Sequence, residues 1–159
     1  MKKLIFLGSL ILFFSSIDSF AQSYKTALGV RVGSENGISV KHFLNETNAL
    51  EGQLTSRWRG WSLHGLYELN GNAFEVANLN WFFGGGAHVG FYDRYNGNPW
   101  FDDFDNETVF GLDLIIGLEY TFDEIPLNLG IDWKPEINLV GYEGFWGDEV
   151  GLSIRFAFR

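Results

Sequence analysis

Residues 148–159 read D-E-V-G-L-S-I-R-F-A-F-R, and the alternation in them is strict. Val150, Leu152, Ile154, Phe156 and Phe158 fall on one side; Gly151, Ser153, Arg155, Ala157 and Arg159 fall on the other. Successive side chains of a strand point to opposite faces, so this is a strand with one apolar face and one small or polar face. It continues to Arg159, where most soluble domains fray. At the other end Lys2 and Lys3 precede the apolar run 4–14, and Ser19 and Ala21 supply the small residues before a cut. That pattern predicts a cleaved secretory signal peptide over 1–21, too short to span as a helix, and a single domain over 22–159.

Composition narrows the class. The formal net charge is −9, and loss of Lys2, Lys3 and Asp18 with the leader would leave 9 − 19 = −10. Such an acidic exported chain is poorly suited to nucleic acid or anionic lipid through bulk charge. It has no cysteine, so neither a disulfide framework nor a lipoprotein anchor is available. After the leader no stretch holds the ~20 apolar residues of a membrane helix. A barrel escapes that test, because only every second residue of its strands faces lipid.

Alternating segments fill the mature chain. Strands are expected over 24–33, 37–43, 49–58, 61–69, 78–92, 108–122, 127–139 and, after a lead-in at 140–147, 148–159. Turns are expected at Glu35-Asn36-Gly37, 45–48, Arg59-Gly60, Asn70-Gly71-Asn72 and 123–126, with the longest loop over 93–107. The three prolines lie near strand ends or loops. The fold expected is all-β: an eight-stranded antiparallel up-and-down transmembrane β-barrel of a Gram-negative outer membrane. With the N-terminus periplasmic, Tyr24, Trp81, Phe83, Tyr120, Phe122 and Phe158 fall near one rim. Trp58, Trp61, Phe91, Trp133 and Trp146 fall near the other, as two aromatic girdles should.

The segment 108–122 separates a membrane barrel from a soluble one. Phe110, Leu112, Leu114, Ile116, Leu118 and Tyr120 share a face, and Val109, Gly111, Asp113, Ile115, Gly117 and Glu119 share the other. The second kind of face mixes charges with glycines throughout the chain. That suits a narrow interior where glycines make room for long side chains; on a water-facing surface they would only weaken the strands.

Two stretches, W-F-F-G-G-G-A-H-V-G-F-Y (81–92) and L-E-Y-T-F-D-E-I-P-L-N-L-G-I-D-W-K-P-E-I-N-L (118–139), resemble small eight-stranded outer-membrane β-barrel proteins of Bacteroidota type. G-F-W-G-D-E-V-G-L-S-I-R-F-A-F-R (144–159) resembles their closing strand, including a barrel-assembly signal carried by Glu149, Gly151, Ile154 and Phe156. Arg159 departs from the usual terminal aromatic. The resemblance implies the fold and the outer membrane, and it carries no catalytic residues.

The inward-facing charges are expected to be Lys25, Arg31, Lys41, Glu51, Arg57, Glu68, Asp113, Glu119, Asp132, Lys134 and Arg155. Charges in a dry lumen must pair. Folding the chain about its turns sets Lys41 opposite Glu51, Glu51 opposite Glu68, and Asp132 opposite Arg155 if the last hairpin turns near Glu143. His64 and His88 face the lumen and His42 faces outward. Ser62 shares the His64 face while Ser56 does not, so no nucleophile–base–acid spacing emerges. Gly84-Gly85-Gly86 lacks the Lys-Ser/Thr and the helix of a phosphate loop.

The loop 93–107 carries Tyr95, Trp100, Phe101 and Phe104 beside Asp102, Asp103, Asp105 and Glu107. The calcium-loop pattern with its central glycine is missing, so a solvated acidic loop is expected, with no metal and no cofactor. The function expected is a small non-conducting barrel with a structural or surface-interaction role. Its partners would be outer-membrane lipid and lipopolysaccharide, and an extracellular partner held by that loop. The alternatives are a lipid-modifying enzyme (acyl transfer or deacylation) and a secreted soluble barrel that binds apolar ligands.

Overall fold

The computed structural model describes residues 24–57, 60–94, 105–141 and 144–158. The expected leader at 1–21 lies outside them, as do Trp58 and the loop residues Tyr95, Trp100, Phe101, Asp102, Asp103 and Phe104.

Ten strands form one closed antiparallel sheet: β1 (Thr26–Gly33), β2 (Asn36–Phe43), β3 (Asn48–Arg57), β4 (Gly60–Asn72), β5 (Leu79–Arg94), β6 (Asp105–Thr121), β7 (Leu127–Trp133), β8 (Glu136–Val140), β9 (Gly144–Trp146) and β10 (Val150–Phe158). β1 to β6 pair in sequence, and β10 closes the ring on β1 from Thr26↔Phe158 to Gly33↔Gly151. β7 and β8 continue one another along β6, through Ile116↔Trp133 and Asp113↔Glu136. The interruption is Lys134-Pro135, where the proline has no N–H to give the ladder, although Leu114 N–H still donates to the Pro135 carbonyl at 3.0 Å. β9 and β10 likewise continue along β8 and β7, with residues 147–149 bulging between them. The result is the expected barrel of eight staves, two of them broken.

Several boundaries move for physical reasons. Asn70-Gly71-Asn72 has turn chemistry yet stays in β4. Asn70 Oδ1 accepts from the Lys41 ammonium at 2.7 Å, and Asn72 Nδ2 donates to the Val76 carbonyl at 2.7 Å. Gly71 lies under the Trp81 ring, in the space a Cβ would need. The turn forms instead at Phe74-Glu75, both left-handed at φ 55° and 57°, closed by Val76 N–H to the Ala73 carbonyl. Left-handed backbone costs a non-glycine residue roughly 1–2 kcal/mol, which is why sequence alone does not place a turn there. β5 and β6 stay paired through Arg94↔Asp105, so Asp93, Asp105 and Glu107 belong to the ladder and the loop is shorter than 93–107.

The alternation turns Val30, Ile38, Leu54, Leu63, Leu114, Ile131 and Leu152 outward, each 41–61% exposed, as a continuous apolar belt. Aromatic contacts border the belt: Trp81–Phe83, Tyr120–Phe122 and Phe156–Phe158 at the end carrying the termini, and Trp61–Phe91 at the distal end. Tyr24 does not join the first rim. It is buried with Phe43, Ala27, Ala49 and Ala157 as an apolar floor, and Lys25 beside it is exposed instead of turned into the lumen.

Inward glycines let staves approach where a side chain could not fit. At Gly29 an added Cβ would meet the Ile154 carbonyl and Arg155 Cα on β10, whereas at outward Gly52 nothing lies near. Gly29→Ala should therefore cost about 1–3 kcal/mol, as overpacking does. Gly52→Ala should be neutral or gain roughly 0.5–1 kcal/mol, the usual advantage of alanine over glycine in a strand. Denaturant unfolding of the refolded variants measures both; equal losses would mean the inward glycines do not set stave spacing.

Candidate functional site

The interior holds two charge clusters, one in each half. Nearer the termini, Lys41 Nζ lies 2.9 Å from Glu68 and 3.1 Å from Glu119. Arg155 reaches Glu51 at 2.7 Å, Glu119 at 3.8 Å, and donates to Ser39 and Asn128. Ser39 and Gln53 also donate to Glu51, and the Tyr24 hydroxyl donates to Glu119. Lys41 stands 4.3 Å from the centre of the Phe82 ring, adding a cation–π contact. All five charged groups are buried, so each ion pair operates where an unpaired charge would be costly.

The distal cluster is built around His64. Its Nδ1 is 3.0 Å from Asp113 Oδ2, and its Nε2 is 3.1 Å from Thr55 Oγ1 and 3.5 Å from Glu35 Oε2. His88, opposite His64 on β5, sets Nδ1 2.6 Å from Asp113 Oδ1 and Nε2 2.9 Å from Asn138 Oδ1. Lys134 Nζ joins Glu136 at 2.9 Å and Glu35 at 3.4 Å. Beside this cluster Arg31 and Asp132 pair at 2.6 Å, and Arg57 pairs with Glu149 and, at 3.2 Å, with Asp148.

One of these carboxyls, Glu35, sits in the turn between β1 and β2. Burial pushes it upward, but the His64 hydrogen bond and the Lys134 charge outweigh that and hold the group down at about 2.

The five residues expected as lumen pairs, Lys41, Glu51, Glu68, Asp132 and Arg155, are all buried inside. Lys41 is opposite Glu51, as expected. Glu51 is opposite Leu66, not Glu68, because the β3–β4 hairpin closes at Arg57↔Gly60, one residue earlier than a turn at Arg59-Gly60. Asp132 is opposite Gly151, and Arg155 is opposite Asn128. Here the chain begins its reversal at Gly141, whose φ of 89° suits glycine, instead of near Glu143. Asp132 consequently meets Arg31 across β10, and Arg155 meets Glu51. The surface-loop group is not assembled among the described residues, beyond the placement of Asp105 and Glu107 on β6.

Sequence reasoning missed Glu35, Glu136 and Glu149. Glu35 lies in a turn and has no strand parity to read, yet it folds inward beneath Asn36, whose side chain accepts from Gly33 N–H. Lys134, Pro135 and Glu136 are buried in succession, but only Pro135 breaks the alternation, and Glu136 keeps the inward parity of Asp132 and Lys134. Glu149 sits in the bulge before β10.

Chemically, Asp113–His64–Thr55 has the connectivity of an acid–base–hydroxyl relay. Thr55 is 1% exposed and spends its proton on Glu35 at 2.8 Å, so no substrate reaches it as a nucleophile. Ser62, also buried, bonds the Tyr92 hydroxyl. Searches against protein-family models, curated proteins and solved structures return no match to this chain.

Removing one member of a buried ion pair costs about 3–5 kcal/mol. Arg155→Leu should lose that amount, and Glu51→Gln should recover part of it in the double variant. Asp132→Asn should instead couple to Arg31→Leu. Additivity within either pair, read from double-mutant unfolding cycles, would show that the two pairings are misassigned.

Proposed function

We propose that the chain is a small, non-conducting β-barrel of the Gram-negative outer membrane, exported through a cleaved leader, with a structural or surface-interaction role. The observation that carries this reading is the inversion of the barrel: the belt of Val30, Ile38, Leu114, Ile131 and Leu152 is outside, while Arg31, Lys41, Glu51, Glu119 and Arg155 are inside. In water that arrangement would expose a contiguous apolar surface far beyond what soluble proteins carry. In a bilayer it is the ordinary solution, with aromatics at both borders. An eight-stranded interior is just wide enough for side chains to fill, and here ion pairs fill it. A soluble carrier of apolar ligands would need the opposite lining.

Expressed with its leader, the protein should partition with the outer-membrane fraction and run at different positions on a gel before and after boiling. Purified protein in planar bilayers should give no stable conductance steps. Recovery as a soluble periplasmic protein would overturn the membrane reading, and steady ion-selective currents would overturn the plug.

The surface role falls to the β5–β6 hairpin. Its ladder runs to Arg94↔Asp105, beyond the last pairs on either side at Gly60↔Tyr92 and Phe110↔Val140. The ladder therefore rises beyond the neighbouring pairs, and the sequence between its two ends holds Tyr95, Trp100, Phe101, Asp102 and Asp103, aromatics beside acids that suit lipopolysaccharide through bridging divalent ions, or an extracellular protein. Deleting 96–103 should leave the heat-dependent gel shift intact and remove Mg²⁺-dependent binding to lipopolysaccharide micelles. Unchanged binding would assign the contact elsewhere.

A further inference from the structure

The distal cluster is arranged as a ligand set. One ring nitrogen each of His64 and His88 and an Asp113 oxygen lie within 4.8 Å of one another, and all three residues are buried. Each histidine has its other nitrogen committed. His88 Nε2–H donates to Asn138 Oδ1 at 2.9 Å. His64 Nε2–H donates to Thr55 Oγ1 at 3.1 Å, with Glu35 Oε2 at 3.5 Å. Those outer contacts leave both Nδ1 atoms aimed at the same carboxylate, each at hydrogen-bond distance and holding a proton toward it. A divalent ion bound between them would take the place of those protons, as metal binding to histidine does. Outer hydrogen bonds that fix the ring in this way are the usual support of metal-binding histidines.

Charge points the same way. Glu35, Asp113 and Glu136 supply three negative charges around His64, and Lys134 supplies one positive. The two Nδ1 protons match the remaining two negative charges, and one divalent cation in their place keeps the same balance in an enclosed lumen. A second possible ligand group, Glu35, His64 and Glu136, is already served, because Lys134 Nζ sits 3.4 Å from Glu35, 2.9 Å from Glu136 and 3.3 Å from His64 Nδ1. Lys134 thus occupies the Glu35–Glu136 side, and an ion entering on the Asp113 side would take over the His64 Nδ1 that Lys134 also approaches. Gly111 contributes as well: a Cβ there would strike the His88 ring, so its absence admits the imidazole.

The geometry points to a binding site for one divalent first-row transition ion such as Zn²⁺, held by His64, His88 and Asp113. Two imidazoles and a carboxylate suit such ions at bond lengths of about 2.0–2.2 Å. The 2.6 and 3.0 Å spacings between nitrogen and oxygen need only a small opening to admit one. Access is from the side of His88 and Glu136, which keep 3% and 8% of their side chains exposed.

The test uses full-length mature barrel refolded in detergent micelles and stripped with a chelator, with Co²⁺ as the probe. Wild type should bind one Co²⁺ per barrel, visible as ligand-field absorption and displaced by Zn²⁺. His88→Ala should abolish the signal while retaining the folded gel mobility. Asn138→Ala, which touches no metal, should weaken binding about 10–100-fold by freeing the His88 ring. His42→Ala, outside the lumen, should bind as wild type does. Absence of stoichiometric binding by wild type overturns the proposal, and so does unchanged binding in His88→Ala. Should His88→Ala fail to fold, unchanged affinity in Asn138→Ala overturns it equally.

Discussion

Closing eight strands into a ring leaves a lumen that side chains fill, and every charge turned into it must meet an opposite charge there. The rest of the structure answers to that constraint. Lys41 lies between Glu68 and Glu119, and Arg155 between Glu51 and Glu119, so five staves are tied through the middle of the barrel as well as along their ladders. A slip of one residue in any stave would turn its charges outward and its apolar set inward. The ion pairs therefore act on register more than on net stability, since buried pairs repay little beyond their desolvation.

Glycine placement follows from the same crowding. Gly151 faces the lumen where the Arg31 guanidinium passes, Gly111 where His88 stands, and Gly117 beneath Phe82. Each marks a position where a neighbouring stave sends in a large group. The same interior economy explains why the wall can tolerate Pro135: the backbone on both sides of it is covered by Lys134 and Glu136 turned inward together, and the ladder resumes in register at Glu136.

How far the sequence could be read depends on parity. Where alternation is unbroken, as in β3, β6 and β10, the inward and outward residues are those expected, and Glu51, Asp113, Glu119 and Arg155 are inside. Pairing across hairpins is less legible, because one residue at a turn displaces every partner by two. The Arg57↔Gly60 closure did this to Glu68, and the reversal at Gly141 in place of Glu143 did it twice over to Asp132 and Arg155. Residues without parity are the least legible. Glu35 in a turn and Tyr24 ahead of the first strand fold inward with no local signal, whereas Glu136 keeps the parity of Asp132 and Lys134, and Glu149 that of Gly151 and Ser153. Glu35, Glu136 and Glu149 gather at the distal end, where a turn, a proline and a bulge interrupt the strands.

The two clusters differ in what their composition requires. A plug needs volume and hydrogen bonds, and Gln53, Asn70 and Asn128 supply both in the same lumen without charge. In the half near the termini, three carboxyls face two cations among these neutral amides, close to balance. Around His64 three carboxyls face one lysine, and the two imidazoles are each tied by their far nitrogen to an acceptor. Amides in place of Glu35 and Glu136 would fill that space at lower electrostatic cost. Gathering three carboxyls there around two imidazoles whose inner nitrogens share one carboxylate, at the mouth with residual exposure, is what a cation-binding site requires and a mere stopper does not.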